Sequence, residues 1–147
     1  MFIQNVSMDA IKSGNHVYFG EHSMLIQIVD PAYEFPTPFN HFEEIHRFEF
    51  LDVEYEGSNL GEFAITDFQA EKIIRLLKKA FADKMSVVVH CHAGVCRSGA
   101  VVEAGIQIGF EDTGKHRSPN ILVKKKLFKV LGLAYDSSTL FQQPVWD

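Results

Sequence analysis

The stretch that most constrains the fold is residues 87–98, which reads Val-Val-Val-His-Cys-His-Ala-Gly-Val-Cys-Arg-Ser. Three consecutive β-branched valines predict a buried strand. A short loop containing Gly94 follows, and an apolar segment typical of a helix begins at Ser98. A strand, a tight loop and a helix in this order indicate an α/β fold. Open sheets of this class bind ligands at the carboxyl ends of their strands, where this loop lies.

Cys91 and Arg97 lie at the two ends of this loop, and their chemistry indicates an oxyanion ligand. Backbone N–H groups in a tight loop converge into a concave, positive nest, and the start of the next helix adds the positive end of its dipole. The guanidinium of Arg97 can bind two phosphate oxygens at once. The same field stabilises a thiolate, so we expect Cys91 to be a nucleophile. An anion cradle around a thiolate indicates phosphoryl transfer through a cysteinyl-phosphate.

The pattern His90-Cys91-x5-Arg97-Ser98 resembles the signature loop of the cysteine-dependent protein tyrosine and dual-specificity phosphatases. The resemblance implies that Cys91 attacks phosphorus and that Arg97 clamps the phosphate. It also implies that Ser98 assists departure of the thiolate and that His90 helps to tune the thiol. The implied phosphate-binding residues form one continuous run, namely His92, Ala93, Gly94, Val95, Cys96 and Arg97.

Strands and helices alternate along the rest of the chain, as expected for a single α/β domain spanning residues 1–147. Apolar runs predict strands at 2–6, 24–29 and 47–51, with a further extended piece at 16–19. Helical signals predict a brief helix from Ser7 to Ile11, helices at 67–83 and 98–108, and a last helix that Ser118 caps and Gly132 ends. The helix at 67–83 begins with a capping-box pattern, Thr66 and Gln69. The resemblance implies that these elements build a three-layer phosphatase fold, with a central, mostly parallel sheet flanked by helices.

A phosphate ester needs a general acid to protonate its leaving oxygen. The resemblance implies an Asp that follows a strand upstream of the Cys. Asp52 stands directly after the predicted strand at 47–51, and Phe50-Leu51-Asp52-Val53 resembles a stretch of small bacterial members of the family. We therefore predict Asp52 as the acid. Glu54 and Glu56, in the loop that follows, remain alternatives.

Cys96 lies inside the same loop as Cys91 and has two interpretations. The local pattern Cys-x4-Cys-Arg-Ser resembles that of the low-molecular-weight phosphatases, in which the two thiols can pair on oxidation. One hypothesis is therefore that Cys96 traps an oxidised Cys91 reversibly. The alternative is that Cys96 packs under the loop as a small apolar residue.

Composition limits the compartment and the partners. The net charge of −5 argues against a general nucleic-acid surface, and no stretch approaches the ~20 apolar residues that a membrane span needs. Both cysteines lie in one loop and form no disulfide framework, so we expect a reducing, cytoplasmic environment. A metal site built from His90, Cys91, His92 and Cys96 is disfavoured because adjacent residues in an extended stretch point in opposite directions. We expect neither a cofactor nor a metal.

These observations predict a protein phosphatase that acts on phosphotyrosine in a phosphorylated protein or peptide, with phosphoserine and phosphothreonine as further substrates. Loop residues 92–95 include no Lys, which disfavours highly charged inositol lipids. Two alternatives remain open. One is a non-catalytic module that binds phosphorylated ligands, and the other is an RNA 5′-triphosphatase, which uses the same motif.

Overall fold

The computed structural model describes residues 1–55, 57 and 59–133. In this part of the chain, five strands form one sheet in which every pairing is parallel. They are β1 (Phe2–Ser7), β2 (Ser23–Val29), β3 (Glu44–Glu49), β4 (Ser86–Cys91) and β5 (Glu111–Asp112), in the order β3-β2-β4-β1-β5. The helices are α1 (Met8–Ser13), α2 (Asp67–Ala82), α3 (Arg97–Ile108) and α4 (Ile121–Val130), with a short 3-10 helix at Gly61–Phe63.

The valine strand β4 lies in the middle of the sheet, between β2 and β1. Successive side chains of a strand point to opposite faces, so a central strand must be apolar on both. Val87 and Val89 pack with residues of α2, α3 and α4. Val88 packs on the other face with a smaller cluster that includes Ile11 of α1 and Phe42. The predicted central parallel sheet flanked by helices is therefore confirmed.

The predicted helices at 67–83 and 98–108 are found at Asp67–Ala82 and Arg97–Ile108. The capping box is present: Gln69 N–H donates to Thr66 Oγ1 at 3.1 Å, and Thr66 N–H donates to Gln69 Oε1 at 2.9 Å. These bonds satisfy backbone donors that have no partner inside the helix. Gly109 is the C-cap of α3.

Two predicted elements differ in the structure, and one observed strand was not predicted. β3 lies at Glu44–Glu49 and not at 47–51, because its partner β2 ends at Val29, which pairs with Glu49. Beyond Phe50 the chain turns away, and the Leu51 N–H donates to the Phe63 carbonyl at 2.8 Å. Residues 16–19 form no strand. β5, two exposed acidic residues without a strand pattern, was not predicted.

The predicted cap of the last helix, Ser118, is wrong. Asn120 is the N-cap of α4, and its Oδ1 accepts from the Val123 N–H at 2.9 Å. Asn120 is fully buried and Ser118 is exposed. Further hydrogen bonds from the Asn120 side chain, described below, explain why this residue occupies the cap.

Parallel strands end at the same edge of a sheet, so the chain segments that follow β1, β2 and β4 meet there. These segments carry α1, Asp30 and the loop at 92–96. No described helix is both long enough and apolar enough to cross a membrane.

Candidate active site

The loop at 92–96 is held by hydrogen bonds to its carbonyl oxygens. The donors are the Met8 N–H to His92 (3.0 Å), Asn5 Nδ2 to Gly94 (2.7 Å), the Ser118 N–H to Val95 (3.1 Å) and the Asn120 N–H to Cys96 (3.0 Å). In a planar trans peptide, the C=O and the N–H that follows it point in opposite directions. Carbonyls directed at β1, α1 and 118–120 therefore direct the next amides, of Ala93, Val95, Cys96 and Arg97, to the other side of the loop.

These are the amides that the sequence predicts to form an anion nest, and they share one direction. None of the hydrogen bonds in the described part of the chain uses the N–H groups of Ala93, Val95 or Cys96. Cys96 is the N-cap of α3 and provides no side-chain cap. The first N–H groups of α3 thus add to the positive end of the helix dipole at the same place.

Gly94 allows the loop to lie directly against β1. Its φ is +75°, which favours glycine, and an added Cβ would lie 2.3 Å from the Val6 carbonyl carbon and 2.4 Å from the Ser7 nitrogen. Both atoms belong to backbone, so no side-chain movement would relieve the overlap. Glycine is required here by the close approach as well as by φ.

Cys91 is the last residue of β4, and its side chain is almost fully buried at the base of the loop. Its Sγ lies 3.1 Å from Oγ of Ser98, a fully buried residue in the first turn of α3. A hydroxyl at this distance can donate to a thiolate. The structure thus brings together the predicted Cys91 and Ser98.

Arg97 is buried beside this loop and is held by one end of its guanidinium. Its Nη1 donates to Asp30 Oδ1 at 2.6 Å and to the Phe50 carbonyl at 2.8 Å. Its Nε is buried and has no hydrogen-bond partner in the described structure. Buried donors are rarely left unpaired, so this nitrogen is an exception among the buried polar atoms of the described structure.

Asp30, the partner of Arg97, was not predicted from the sequence. Asp30 follows β2 directly, and β2 is adjacent to β4 in the sheet. The available signal was an acidic residue immediately after a mostly apolar strand, which places a carboxylate at the ligand-binding edge. The partner, however, lies 67 residues away, and only the sheet order brings the two together.

His90 is fully buried in β4, and burial lowers its pKa to about 4, with the nearby charge of Arg97 acting in the same direction. The imidazole is therefore neutral at neutral pH. Its Nδ1 lies 3.3 Å from the Cys91 carbonyl, which can only accept, so Nδ1 carries the hydrogen. His90 contacts the backbone of Cys91 and makes no hydrogen bond to its sulfur.

A cavity of about 360 Å³ opens over the loop. Its lining comprises Asp30, Leu51, Asp52, Val53, Leu60, Cys91, His92, Ala93, Cys96 and Arg97. The predicted acid Asp52 thus shares one cavity with Cys91 and Arg97. Asp52 is itself exposed, and its Oδ1 accepts from Asn120 Nδ2 at 2.5 Å.

The alternative acids differ in their positions. Glu54 does not line the cavity, and its Oε2 accepts from the Ile121 N–H at 3.1 Å, at the start of α4. Glu56 lies outside the described residues. Of the two candidate acids that the structure describes, Asp52 lines the cavity and Glu54 does not.

Cys96 lines the cavity as a free thiol, and so does Cys91. Burial raises the pKa of the Cys96 thiol, and the negative charges of Asp52, Cys91 and Glu54 raise it further. Cys96 is thus kept protonated, which makes it a weak nucleophile. Whether the two thiols pair on oxidation stays a hypothesis. Among the described residues, no group of three or more His, Cys, Asp or Glu side chains is arranged to hold a metal ion.

Two solved structures with a similar fold are human. Tyrosine phosphatase-like serine/threonine/tyrosine-interacting protein matches with a TM-score of 0.60 at 14% identity, over 88% of this chain and 91% of that chain. DUSP28 matches with a TM-score of 0.53 at 14% identity, over 87% of this chain and 90% of that chain. The sequence matches no protein-family model, and no curated protein matches it significantly. The chain therefore has the fold of the dual-specificity phosphatases, which confirms the predicted fold class.

We expect Gly94→Ala to destabilise the protein far more than Gly114→Ala. Both glycines have nearly the same positive φ (+75° and +78°), but nothing lies within 4 Å of a Cβ at Gly114. Gly114→Ala should cost about 1 kcal/mol for the left-handed backbone alone. Gly94→Ala should cost about 1–3 kcal/mol more because backbone must move. Urea denaturation measures both, and equal losses would contradict the close approach at Gly94.

His90 should make stability depend on pH. Its pKa is about 4 in the folded protein and near 6.5 when unfolded, so the unfolded chain takes up the proton first as the pH falls. The contribution of neutral His90 to the free energy of unfolding is therefore complete above pH ~6.5 and is lost by pH ~4. The loss amounts to about 3 kcal/mol in total.

The measurement is the free energy of unfolding between pH 7 and pH 4, in the wild type and in His90→Asn. The variant should lose the part of the pH dependence that His90 causes, while other histidines titrate equally in both proteins. Parallel curves for the two proteins would show that His90 is not held neutral.

Proposed function

We propose that the protein is a cysteine-dependent phosphatase that hydrolyses phosphotyrosine in proteins or peptides through a cysteinyl-phosphate. Phosphoserine and phosphothreonine are further substrates of the same site. The observation that carries the proposal is the cavity over the loop, which has the Cys91 sulfur at its base and Arg97 and Asp52 in its lining. The amides of the loop point to one side and have no other hydrogen-bond partner among the described residues.

In the first step, the Cys91 thiolate attacks phosphorus and the bond from phosphorus to the ester oxygen breaks. Asp52 gives its proton to the departing oxygen. The loop amides and Arg97 stabilise the charge on the transferred phosphoryl group. In the second step, Asp52 takes a proton from water, and the water oxygen attacks phosphorus. The phosphorus–sulfur bond breaks, and the Ser98 hydroxyl donates to the departing thiolate, releasing phosphate.

The walls of the cavity favour an aryl phosphate ester. Leu51, Val53 and Leu60 provide apolar surface above the loop, which suits the ring of a phosphotyrosine. The described residues of the lining include no Lys, and Arg97 shares its charge with Asp30. This charge balance suits a single phosphate group and disfavours the polyphosphate of an RNA 5′ end. We therefore propose a phosphorylated protein or peptide as the partner.

The ion pair between Arg97 and Asp30 favours a second candidate, a module that binds phosphorylated ligands without turnover. A guanidinium that is already paired with a carboxylate provides less net positive charge to a transition state. One human protein of similar fold is named as a tyrosine phosphatase-like protein that interacts with serine, threonine and tyrosine. Turnover of a simple aryl phosphate distinguishes the two functions directly.

We expect Cys91→Ser and Arg97→Ala each to abolish turnover of p-nitrophenyl phosphate. The first change removes the nucleophile and the second removes the phosphate clamp. Because the chemistry uses a thiolate, activity of the wild type should survive EDTA. Absence of turnover in the wild type, together with measurable binding of a phosphotyrosine peptide, would favour the binding module.

We expect Asp52→Asn to lower turnover of p-nitrophenyl phosphate by ~10²–10⁴-fold, because the leaving oxygen loses its proton donor. Glu54→Gln is the matched control, since it also removes a carboxylate charge from this loop but not from the cavity lining. Its turnover should stay close to that of the wild type. The reverse ranking of the two variants would move the acid to Glu54.

A further inference from the structure

Asn120 makes hydrogen bonds both to the loop at 92–96 and to the segment that carries Asp52. It is fully buried, and its backbone N–H donates to the Cys96 carbonyl of the loop at 3.0 Å. Its side chain reaches across to the segment that carries the candidate acid. There, Nδ2 donates to Asp52 Oδ1 at 2.5 Å and to the Val53 carbonyl at 3.1 Å.

The orientation of this amide is fixed by its surroundings. Asn120 Oδ1 accepts from the Val123 N–H at 2.9 Å, so a flipped amide would oppose two donors at that position. Both Nδ2 hydrogens are therefore committed to Asp52 and Val53. The three side-chain hydrogen bonds of Asn120 are all made within the protein.

Capping α4 does not by itself require an asparagine. Serine, threonine and aspartate serve as well at an N-cap, since each offers an oxygen to the helix N–H groups. Only an amide side chain also carries two N–H donors, which here bond to Asp52 and Val53. The choice of residue is thus explained by the segment 52–53 rather than by the helix.

Among the residues that the structure describes, only Asn120 makes a hydrogen bond to the Asp52 side chain. Asp52 is exposed, and it follows the point where the chain leaves β3. A general acid contributes fully only when its proton is held at the leaving oxygen. A carboxyl group with Oδ1 fixed by Asn120 has Oδ2 free to carry that proton.

We propose that Asn120 is a positioning residue, which fixes the Asp52 carboxyl group over the cavity in register with the loop that carries Cys91. This proposal rests on the proposed phosphatase function. It assigns a role in catalysis to a residue that contacts neither the nucleophile nor the bound phosphate.

The test is Asn120→Ser, which keeps an oxygen to cap α4 but removes both donors to 52–53. Turnover is measured with phenyl phosphate, whose leaving oxygen needs a proton, and with 2,4-dinitrophenyl phosphate, whose leaving oxygen does not. We expect kcat/KM, which reports the first chemical step, to fall by ~10–100-fold for phenyl phosphate and by less than about 2-fold for the dinitrophenyl ester. Binding of orthovanadate should be unchanged because the loop is intact.

Thr66→Ala is the matched control for a lost cap. Thr66 caps α2 through a side-chain bond and does not line the cavity. This variant should be destabilised like other cap deletions but should treat both esters as the wild type does. In the Asp52→Asn background, Asn120→Ser should add no further dependence on the leaving group, because the acid is already absent.

Asn120→Asp provides an independent measurement. It keeps the shape and the cap but places a second carboxyl group beside Asp52. Two adjacent carboxylates retain a proton more strongly, so the basic limb of the pH profile of kcat/KM for phenyl phosphate should shift to higher pH. This variant also serves if Asn120→Ser fails to fold.

The outcomes separate this proposal from the proposed function. Equal losses for the two esters in Asn120→Ser, or an unshifted pH profile in Asn120→Asp, would overturn the positioning role and leave the phosphatase function standing. Failure of the wild type to hydrolyse either ester would overturn both.

Discussion

The structure of the site depends on how the carbonyl groups of one short loop are bonded. Donors from β1, α1 and 118–120 hold four of the carbonyls at 92–96, and planar peptides then direct the amides that follow them to the opposite side. The positive nest is thus a consequence of hydrogen bonds made behind it. Gly94 permits this arrangement because its backbone lies against Val6 and Ser7, closer than any Cβ allows.

The site also requires that polar groups from distant parts of the chain come together, and the parallel sheet achieves this. β2, β4 and β1 end at one edge, so Asp30, Cys91 and the start of α1 become neighbours although they are far apart in the sequence. The apolar strands β2 and β4 are buried and well packed on both faces, and this rigidity fixes the positions of the polar groups at their ends. Arg97 is the cationic side chain in the described lining of the cavity. Asp30 and the Phe50 carbonyl both accept hydrogen bonds from its Nη1.

The loop, its nucleophile and its helix could be predicted because they are local. Valine repetition, the Cys–Arg spacing and the capping box at Thr66 act within a few residues of one another, so the sequence pattern reports them directly. The predicted boundaries of β3 and α4 were wrong for the opposite reason. β3 ends where its partner β2 ends, and the cap of α4 is the residue whose side chain also reaches 52–53.

The amino-acid sequence by itself determined the α/β class, the central strand, the loop with Cys91 and Arg97, and the choice of Asp52 as candidate acid. Only the tertiary structure decided that Asp30 holds Arg97 and that Asn120 holds Asp52, contacts that span 67 and 68 residues of sequence. The physical reason is that such pairs leave no periodic or neighbouring signal. They form only when the crossover helices bring the ends of separate parallel strands to one edge of the sheet.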